Sequence, residues 1–245
     1  EGLVTPDRAR ALGIVDRVAT WQEMRRELAA AGLAGVSLAG YLEPDAGFAR
    51  APALAVVHVG GTIVNGAGGQ PTLPFGERAA GADSVVNALQ IASADASVAG
   101  IIVRVQSGGG DVLASARMRE AVIAASRAKP LVVSMADVAA SGGYYLACGD
   151  AANRVLIDAG AMTITGSIGV ITGKLVTAGL RETIGVTTVR LGDTNAHIYG
   201  DDRKFSAGER VVVVRMLDYW YEQFLSVVAA ARRRPVPEHH PVAAA

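Results

Sequence analysis

Three short runs of apolar and mostly β-branched residues limit what this chain can fold into. They lie at Leu54–Val59, Ile101–Val105 and Leu131–Met135. A run that is apolar at nearly every position is typical of a strand buried on both faces, as in a parallel sheet. Helical patterns fill the two intervals, at 82–94 and 112–127. The alternation of strand and helix therefore predicts a layered α/β fold with right-handed parallel crossovers.

The second half of the chain supplies further elements. Val155–Ile157 and Val186–Val189 are short apolar runs that are predicted to be strands. Phe205–Ala231 would be about 40 Å long as a helix, which is enough to cross a bilayer. Charged residues interrupt it between Arg215 and Glu222, and each central charge costs about 2.5 to 3.5 kcal/mol in a membrane. This segment is therefore predicted to be a long, packed helix outside the membrane.

Composition divides the chain into four parts. Residues 1–32 have helical patterns, and 33–50 form a weakly patterned linker. The strands and helices above belong to one large domain at 51–234. Residues 235–245 change composition abruptly and are predicted to be a disordered or truncated tail. The sequence begins at Glu1 without a basic and apolar leader, which predicts a fragment of a longer protein.

Charge and cysteine content exclude several kinds of site. The 23 basic and 23 acidic residues balance, so no excess charge is available to hold a nucleic acid. The single cysteine, Cys148, cannot form an intrachain disulfide or a thiolate metal cluster. The four histidines have no metal-ligand spacing. The sequence therefore predicts no nucleic-acid partner, no metal and no other cofactor.

A Gly-rich turn, Gln106–Asp111, lies between the second apolar run and the helix that follows it. Its glycines, Gly108, Gly109 and Gly110, allow the backbone to present N–H groups to a ligand beside the positive end of a helix. Fixed donors of this kind form oxyanion holes. A phosphate-binding loop uses the same physics but ends in Gly-Lys-Ser/Thr, whereas Asp111 stands here. A tight turn without chemistry remains an equal alternative.

A second turn of small residues, Ala139–Tyr145, follows the third apolar run. A peptide carbonyl can reach the hydroxyl of Ser141 because its neighbours are small, and the N–H of Gly142 can serve as an oxyanion donor. The alternative is an ordinary N-cap serine, which is common at the start of helices. Tyr145 and Cys148 are predicted to share one helical face, which favours a buried cysteine over a second nucleophile.

These motifs together resemble those of signal peptide peptidase A, also called protease IV. The resemblance is carried by Ala-Ala-Ser-Gly-Gly-Tyr-Tyr at 139–145 and Ile-Thr-Gly-Ser-Ile-Gly-Val at 164–170. The turn at 106–111 is similar to the family's Asn-Ser-Pro-Gly-Gly-Ser, with Gly108 in place of the proline and an aspartate in place of the last serine. The match extends from about residue 54 to residue 232.

The resemblance implies a layered ββα-type fold like those of the Clp protease proteolytic subunit and crotonase. Such a fold has a mostly parallel sheet, here with a long C-terminal helix. The resemblance also implies serine peptidase activity, with Ser141 as the nucleophile and the N–H groups of Gly109 or Gly110 and of Gly142 as oxyanion donors. Ser167 is the next candidate nucleophile.

The resemblance extends to partners and location. It implies that the substrates are cleaved signal peptides or other apolar peptides. It also implies an anchor outside this sequence that holds the catalytic part at the outer side of a bacterial cell membrane. We expect homo-oligomers as well.

The general base is the missing part of this pattern. A lysine can deprotonate a serine hydroxyl only where burial or neighbouring positive charge keeps it neutral. The family places this lysine three positions after a glycine that ends a strand, which is Gly192 here, and the corresponding residue is Asn195. The three lysines, Lys129, Lys174 and Lys204, do not match this position. Lys174 and Lys204 are expected to be solvated.

A tandem repeat would supply the base. Long bacterial members of the family resemble two repeats, of which the first supplies the lysine and the second the serine. Gly2–Thr5 and Ala9–Asp16 are similar to the segment that closes a family repeat, and no such segment follows Arg234. We therefore expect the end of one repeat and most of the next, with the lysine in a missing N-terminal repeat of the same chain.

Two other functional classes remain open. A crotonase-like acyl-CoA enzyme uses the same Gly-rich oxyanion geometry without a nucleophilic serine, and retention of CoA would favour it. A non-catalytic repeat would only build an oligomer, with the helix at 205–231 packed on more than one side.

Overall fold

The computed structural model describes most of the chain, in two compact units. The units are Glu1–Ile168 with Phe224–Val236, and Gly169–Gln223 with Pro237–Ala245. None of the described helices combines the length and the apolar character that a membrane crossing requires. The described residues are 6–18, 21–32, 34–36, 53–69, 78–150, 152, 155–189, 191, 197–233 and 235.

The helices and strands are named here in chain order. In the first unit they are α1 (Pro6–Ala11), β1 (Arg17–Val18), α2 (Trp21–Ala30), β2 (Ala34–Val36), β3 (Ala53–Gly60), β4 (Ile63–Val64), β5 (Gly68–Gly69), β6 (Ala79–Gly81), α3 (Ala82–Ala94), β7 (Val98–Ser107), α4 (Val112–Ala128), β8 (Leu131–Ala140), α5 (Gly142–Tyr145), β9 (Leu156–Ala159) and β10 (Ile164–Gly166). The second unit contains α6 (Ala178–Thr183), and α7 (Ala207–Arg232) begins in the second unit and ends in the first.

A parallel sheet forms the centre of the first unit. Its strand order is β1-β9-β8-β7-β3-β2, and β10 also pairs with β8. Every pair in this sheet is parallel. A smaller sheet, β4-β6-β5, contains one antiparallel pair. The predicted α/β fold with a mostly parallel sheet and a long C-terminal helix is confirmed.

The three apolar runs form the middle strands β3, β7 and β8, as predicted. Val57, Val103 and Val133 on these strands are at most 1% exposed. Helices α3 and α4 also lie where the periodicity predicts them, and their buried residues join the same hydrophobic cluster. Helix α4 begins directly after Asp111 because the carboxylate of Asp111 accepts a hydrogen bond from the N–H of Ala114 at 2.8 Å.

Several predicted elements differ from the structure. Val186–Val189 was predicted to be a strand but is not one. The prediction was wrong because a strand also needs a neighbouring strand to pair with, which an apolar run alone does not ensure. The predicted linker at 33–50 contains β2, which pairs with the start of β3. The helical pattern of residues 1–32 is interrupted by β1. The remainder of the linker and the tail at 236–245 lie outside the described residues.

The N-terminal segment is built into the first unit. Ala9 and Val15 are buried in its hydrophobic cluster. The hydroxyl of Tyr144 donates to the carbonyl of Ile14 at 3.0 Å. Asp16 forms an ion pair with Arg232, at 2.9 Å, near the end of α7. The segment that resembles a closing segment therefore packs beside the turn that carries Ser141.

The second unit has polar contacts around the start of α7. The N–H of Ser206 donates to Oε2 of Glu209 at 2.7 Å, and the N–H of Glu209 donates to the hydroxyl of Ser206 at 3.2 Å. This reciprocal pair is a capping box, which defines the N-terminus of the helix. Arg203 also binds Glu209 through both of its terminal nitrogens, and these contacts lower the pKa of the carboxyl group.

Candidate active site

Ser141 lies between the carboxyl end of β8 and the single-turn helix α5. Its φ of 49° and ψ of −119° belong to a region that non-glycine residues rarely adopt, at a typical cost of about 1–3 kcal/mol. The N–H of Ser141 donates to the carbonyl of Gly166 at 2.8 Å, which holds this backbone against β10. A sharp turn of this kind presents a side chain at the edge of the sheet, where ligands bind in α/β folds.

The side chain of Ser141 faces the Gly-rich turn. Ser141 is half-buried, and a Cβ built on Gly109 would lie 3.1 Å from its Oγ. Although Ser141 stands at the N-cap position of α5, its hydroxyl makes no capping hydrogen bond. The N-cap role considered for this serine is therefore not the one its side chain has in the structure.

Ser107 organises the Gly-rich turn, and the sequence analysis did not identify it. Its side chain is buried, and its hydroxyl donates to the carbonyl of Gly61 at 2.6 Å. The same hydroxyl accepts a hydrogen bond from the N–H of Gly109 at 3.1 Å. The only sequence signal for this role is the position of a serine between the strand and three glycines.

Strand β4 holds the other side of the turn. The N–H of Ile63 donates to the carbonyl of Gly109 at 3.0 Å, and the N–H of Asp111 donates to the carbonyl of Ile63 at 2.9 Å. A Cβ built on Gly110 would lie only 2.1 Å from the carbonyl oxygen of Ile63. Glycine is therefore required at 110 for the turn to approach β4 this closely.

The three predicted oxyanion donors are brought together, but they are not equivalent. The N–H of Gly109 is already bonded to Ser107. Within the described part of the chain, the N–H groups of Gly110 and Gly142 have no acceptor. These two groups are neighbours, because a Cβ built on Gly142 would lie 3.3 Å from the nitrogen of Gly110. The geometry favours Gly110 over Gly109 as the partner of Gly142 in an oxyanion hole.

Within the first unit, Lys129 is the one described lysine, and it lies far from Ser141. Lys129 precedes β8 and donates to the carbonyl of Asp95, so it lies at the other end of a ten-residue strand, about 30 Å away at 3.3 Å per residue. Lys174 donates to the carbonyl of Ile198 at 2.8 Å and lies 4.4 Å from the ring centre of Phe205. Lys204 is exposed, as expected.

Lys174 was expected to be solvated, but it is half-buried by contacts within the second unit. The family's lysine position, at Asn195, and the preceding Gly192 lie outside the described residues. Among the described residues, no side chain forms a hydrogen bond with the hydroxyl of Ser141.

Two other candidate nucleophiles have different surroundings. Cys148 is fully buried, and its burial raises the pKa of the thiol to about 11. The predicted shared helical face is not formed, because α5 ends at Tyr145. Ser167 is exposed at the end of β10 with a φ of 50°, in a turn beside Gly166. Ser141, in contrast to Cys148, is not fully buried, and its Oγ lies beside Gly109 of the Gly-rich turn.

Comparison with known proteins identifies the family to which the chain belongs. Residues 123–245 match the model of peptidase family S49. The chain is 36% identical over 144 residues to the chloroplastic serine protease SPPA of Arabidopsis thaliana, covering 58% of this chain and 21% of that protein. It is 32% identical over 187 residues to Protease 4 of Haemophilus influenzae, covering 74% of this chain and 28% of that protein.

The chain thus spans about a quarter of the length of these relatives. A solved structure of a ClpP1 mutant from Listeria monocytogenes aligns with 74% of each chain, at a TM-score of 0.41 and 15% identity. The sequence matches, and the family model in particular, place this chain in peptidase family S49.

Proposed function

We propose that this chain supplies the nucleophile and the oxyanion hole of a serine endopeptidase with a Ser/Lys dyad. The observation that carries the proposal is the strained backbone of Ser141, which directs its hydroxyl to the turn where Gly110 and Gly142 have free N–H groups. A hydroxyl and two converging amides are the groups that acyl transfer needs. Membership of a peptidase family supports the same assignment.

The reaction follows from this arrangement. Oγ of Ser141 attacks the peptide carbonyl and its proton passes to a neutral lysine amine. The negative charge that develops on the carbonyl oxygen accepts hydrogen bonds from Gly110 and Gly142, and losing one such donor typically costs about 10² to 10³ in rate. The lysine then protonates the leaving amine. Water releases the acyl group from Ser141 by the reverse sequence.

The lysine in this proposal comes from an upstream repeat of the same protein. Two observations support this: none of the three lysines of this sequence occupies the family's lysine position, and Lys129 lies at the far end of β8 from Ser141. The proposed substrates are remnants of signal peptides and other apolar peptides at a bacterial membrane. The name of one relative, a putative signal peptide peptidase SppA of Enterococcus faecium, agrees with this substrate class.

The experiment is active-site labelling of the chain, alone and co-expressed with the upstream repeat of its gene. A fluorophosphonate should label the mixture, and Ser141→Ala should abolish the labelling while the circular dichroism spectrum stays the same. Ser167→Ala is the matched control and should be labelled normally. Strong peptidase activity of the isolated chain that Lys174→Ala or Lys204→Ala abolishes would refute the split dyad.

We also propose that the second unit carries the contact surface of a homo-oligomer. Large apolar side chains of this unit, among them Ile171, Leu175 and Leu191, are more than three-quarters exposed. Apolar exposure on this scale is typical of interaction sites. Light scattering should find an assembly that Ile171→Asp weakens and that Thr172→Asp, its neighbour, leaves intact. A monomeric parent chain would refute this part of the proposal.

A further inference from the structure

A cavity of about 180 Å³ lies between α2 and the central sheet, away from the turn that carries Ser141. One wall is an apolar row across three strands, because Ile102 pairs with Val132 and Val132 pairs with Leu156. Parallel neighbours in register point to the same face of the sheet. The lining is completed by Arg17, Glu27, Leu28, Ile157 and Asp158.

Asp158 is the unusual member of this lining. It is 5% exposed, and its Oδ1 accepts no hydrogen bond from the described residues. The nearest cation is Nε of Arg17, at 3.5 Å from Oδ1. Burial raises the pKa of this carboxyl group, although Arg17 opposes the effect. A buried carboxylate oxygen without a donor costs stability, so a donor that reaches Oδ1 from the cavity would be stabilising.

The lining of the cavity contains two carboxylates, Glu27 and Asp158, and one guanidinium, Arg17. One terminal nitrogen of Arg17 donates to both carboxylate oxygens of Glu27 at 2.9 Å. Arg17 is therefore shared between two carboxylates. The next cation on this face, Arg104, donates to the hydroxyl of Ser134 at 2.7 Å and to the carbonyl of Met135 at 3.1 Å. Arg104 has the smallest electrostatic effect on Asp158, so within the lining two carboxylates share one direct cation.

We infer that this cavity binds a primary alkylammonium group, with the ammonium on Oδ1 of Asp158 and the carbon chain along Ile102, Val132 and Leu156. An ammonium supplies the missing donor and the missing positive charge together. Its methylene stem is apolar and matches the row of aliphatic side chains. The group belongs either to a lysine side chain of a protein partner or to a free alkylamine.

The test is a titration of the ¹⁵N-labelled chain with n-butylammonium, followed by NMR. Saturable shifts are expected at the amides of Leu28 and Ile157, and 1-butanol should bind at least tenfold more weakly. Asp158→Asn should weaken n-butylammonium binding at least tenfold. Leu156→Trp, at the exposed rim, should block the cavity without removing the charge. Asp150→Asn, a carboxylate outside the cavity, is the matched control and should bind normally.

Equal binding of the alcohol, or unchanged binding to both Asp158→Asn and Leu156→Trp, would overturn the inference. The two sources are distinguished by a second pair of probes. A peptide with a central lysine should compete with n-butylammonium if a protein partner is the source, whereas its norleucine counterpart should not. If n-butylammonium binds and the lysine peptide does not, a free amine is the source. None of these measurements depends on peptidase activity.

Discussion

The backbone of Gly109 lies directly against the side chain of Ser141. A Cβ built on Gly109 would stand 2.8 Å from the Cβ of Ser141 and 2.7 Å from the nitrogen of Gly142. The φ of Gly109, 103°, also excludes most side chains. The two turns are separate in the sequence, yet they meet here too closely for a side chain on residue 109.

Replacing Gly109 with alanine should damage the site and the fold together. The new methyl group must displace the side chain of Ser141 and the backbone nitrogen of Gly142, and the strained φ adds about 1–3 kcal/mol. We expect Gly109→Ala to lower the free energy of unfolding by that amount or more in urea titrations. Fluorophosphonate labelling in the presence of the upstream repeat should fall at least tenfold.

The adjacent glycine provides the control. A Cβ on Gly108 would meet nothing within 4 Å, and its φ is not in the left-handed region. Gly108→Ala should therefore change stability by less than about 0.5 kcal/mol, as surface substitutions usually do. An equal loss in both variants would contradict the close approach of Gly109 to Ser141.

Ser107→Ala should loosen the Gly-rich turn. The variant leaves the carbonyl of Gly61 and the N–H of Gly109 without their shared hydroxyl, at a cost of about 1–3 kcal/mol. The freed N–H of Gly109 should show faster hydrogen exchange, measured by NMR. Ser93→Ala, which removes a hydroxyl bonded to Leu89 on α3, should leave the exchange at Gly109 unchanged.

The ion pair between Asp16 and Arg232 should be important for stability because both side chains are at most 10% exposed. Asp16→Asn leaves a buried guanidinium uncompensated and should cost about 3–5 kcal/mol in chemical denaturation. The double variant Asp16→Asn/Arg232→Met should recover part of this loss. Asp83→Asn is the control, since the pair of Asp83 with Arg117 is exposed, and it should cost less than about 1 kcal/mol.

The thiol of Cys148 should be unreactive in the folded chain. Its side chain is fully buried, and its raised pKa of about 11 leaves little thiolate at neutral pH. Iodoacetamide at pH 7.5 should modify the native protein far more slowly than the urea-unfolded protein, as mass spectrometry would show. Rapid alkylation under native conditions would contradict the buried position.

Asp158 should make stability depend on pH in an unusual direction. Its folded pKa is raised by burial, so the folded state holds the proton more tightly than the unfolded state, where the pKa is about 3.9. The stability contributed by Asp158 is therefore lost as the pH rises from about 3.9 through the raised folded pKa. Relative to Asp158→Asn, the parent chain should lose stability over this window in urea titrations. If the stability of the two proteins depends on pH in the same way, the pKa of Asp158 is not raised in the folded state.

The local sequence was sufficient for the middle strands of the central sheet and for the position of Ser141 after one of them. Continuous apolar runs have to be buried on both faces, and this requirement alone locates β3, β7 and β8. Helical periodicity and the N-cap residue Asp111 locate the start of α4. The small neighbours of Ser141 at a strand end made it a candidate nucleophile beside an ordinary N-cap serine, and the resemblance of 139–145 to a family motif favoured the nucleophile.

Contacts between distant segments decided the rest. The hydroxyl of Ser107 donates to the carbonyl of Gly61 across 46 residues. The same hydroxyl accepts from the N–H of Gly109, whereas the N–H of Gly110 has no acceptor among the described residues. Asp16 reaches Arg232 across 216 residues. The apolar run at Val186–Val189 has the composition of a strand but no neighbour in the sheet. Local patterns determine which segments become buried strands and helices. Which hydrogen-bond donor binds which acceptor depends on contacts between distant segments, and therefore on the tertiary structure.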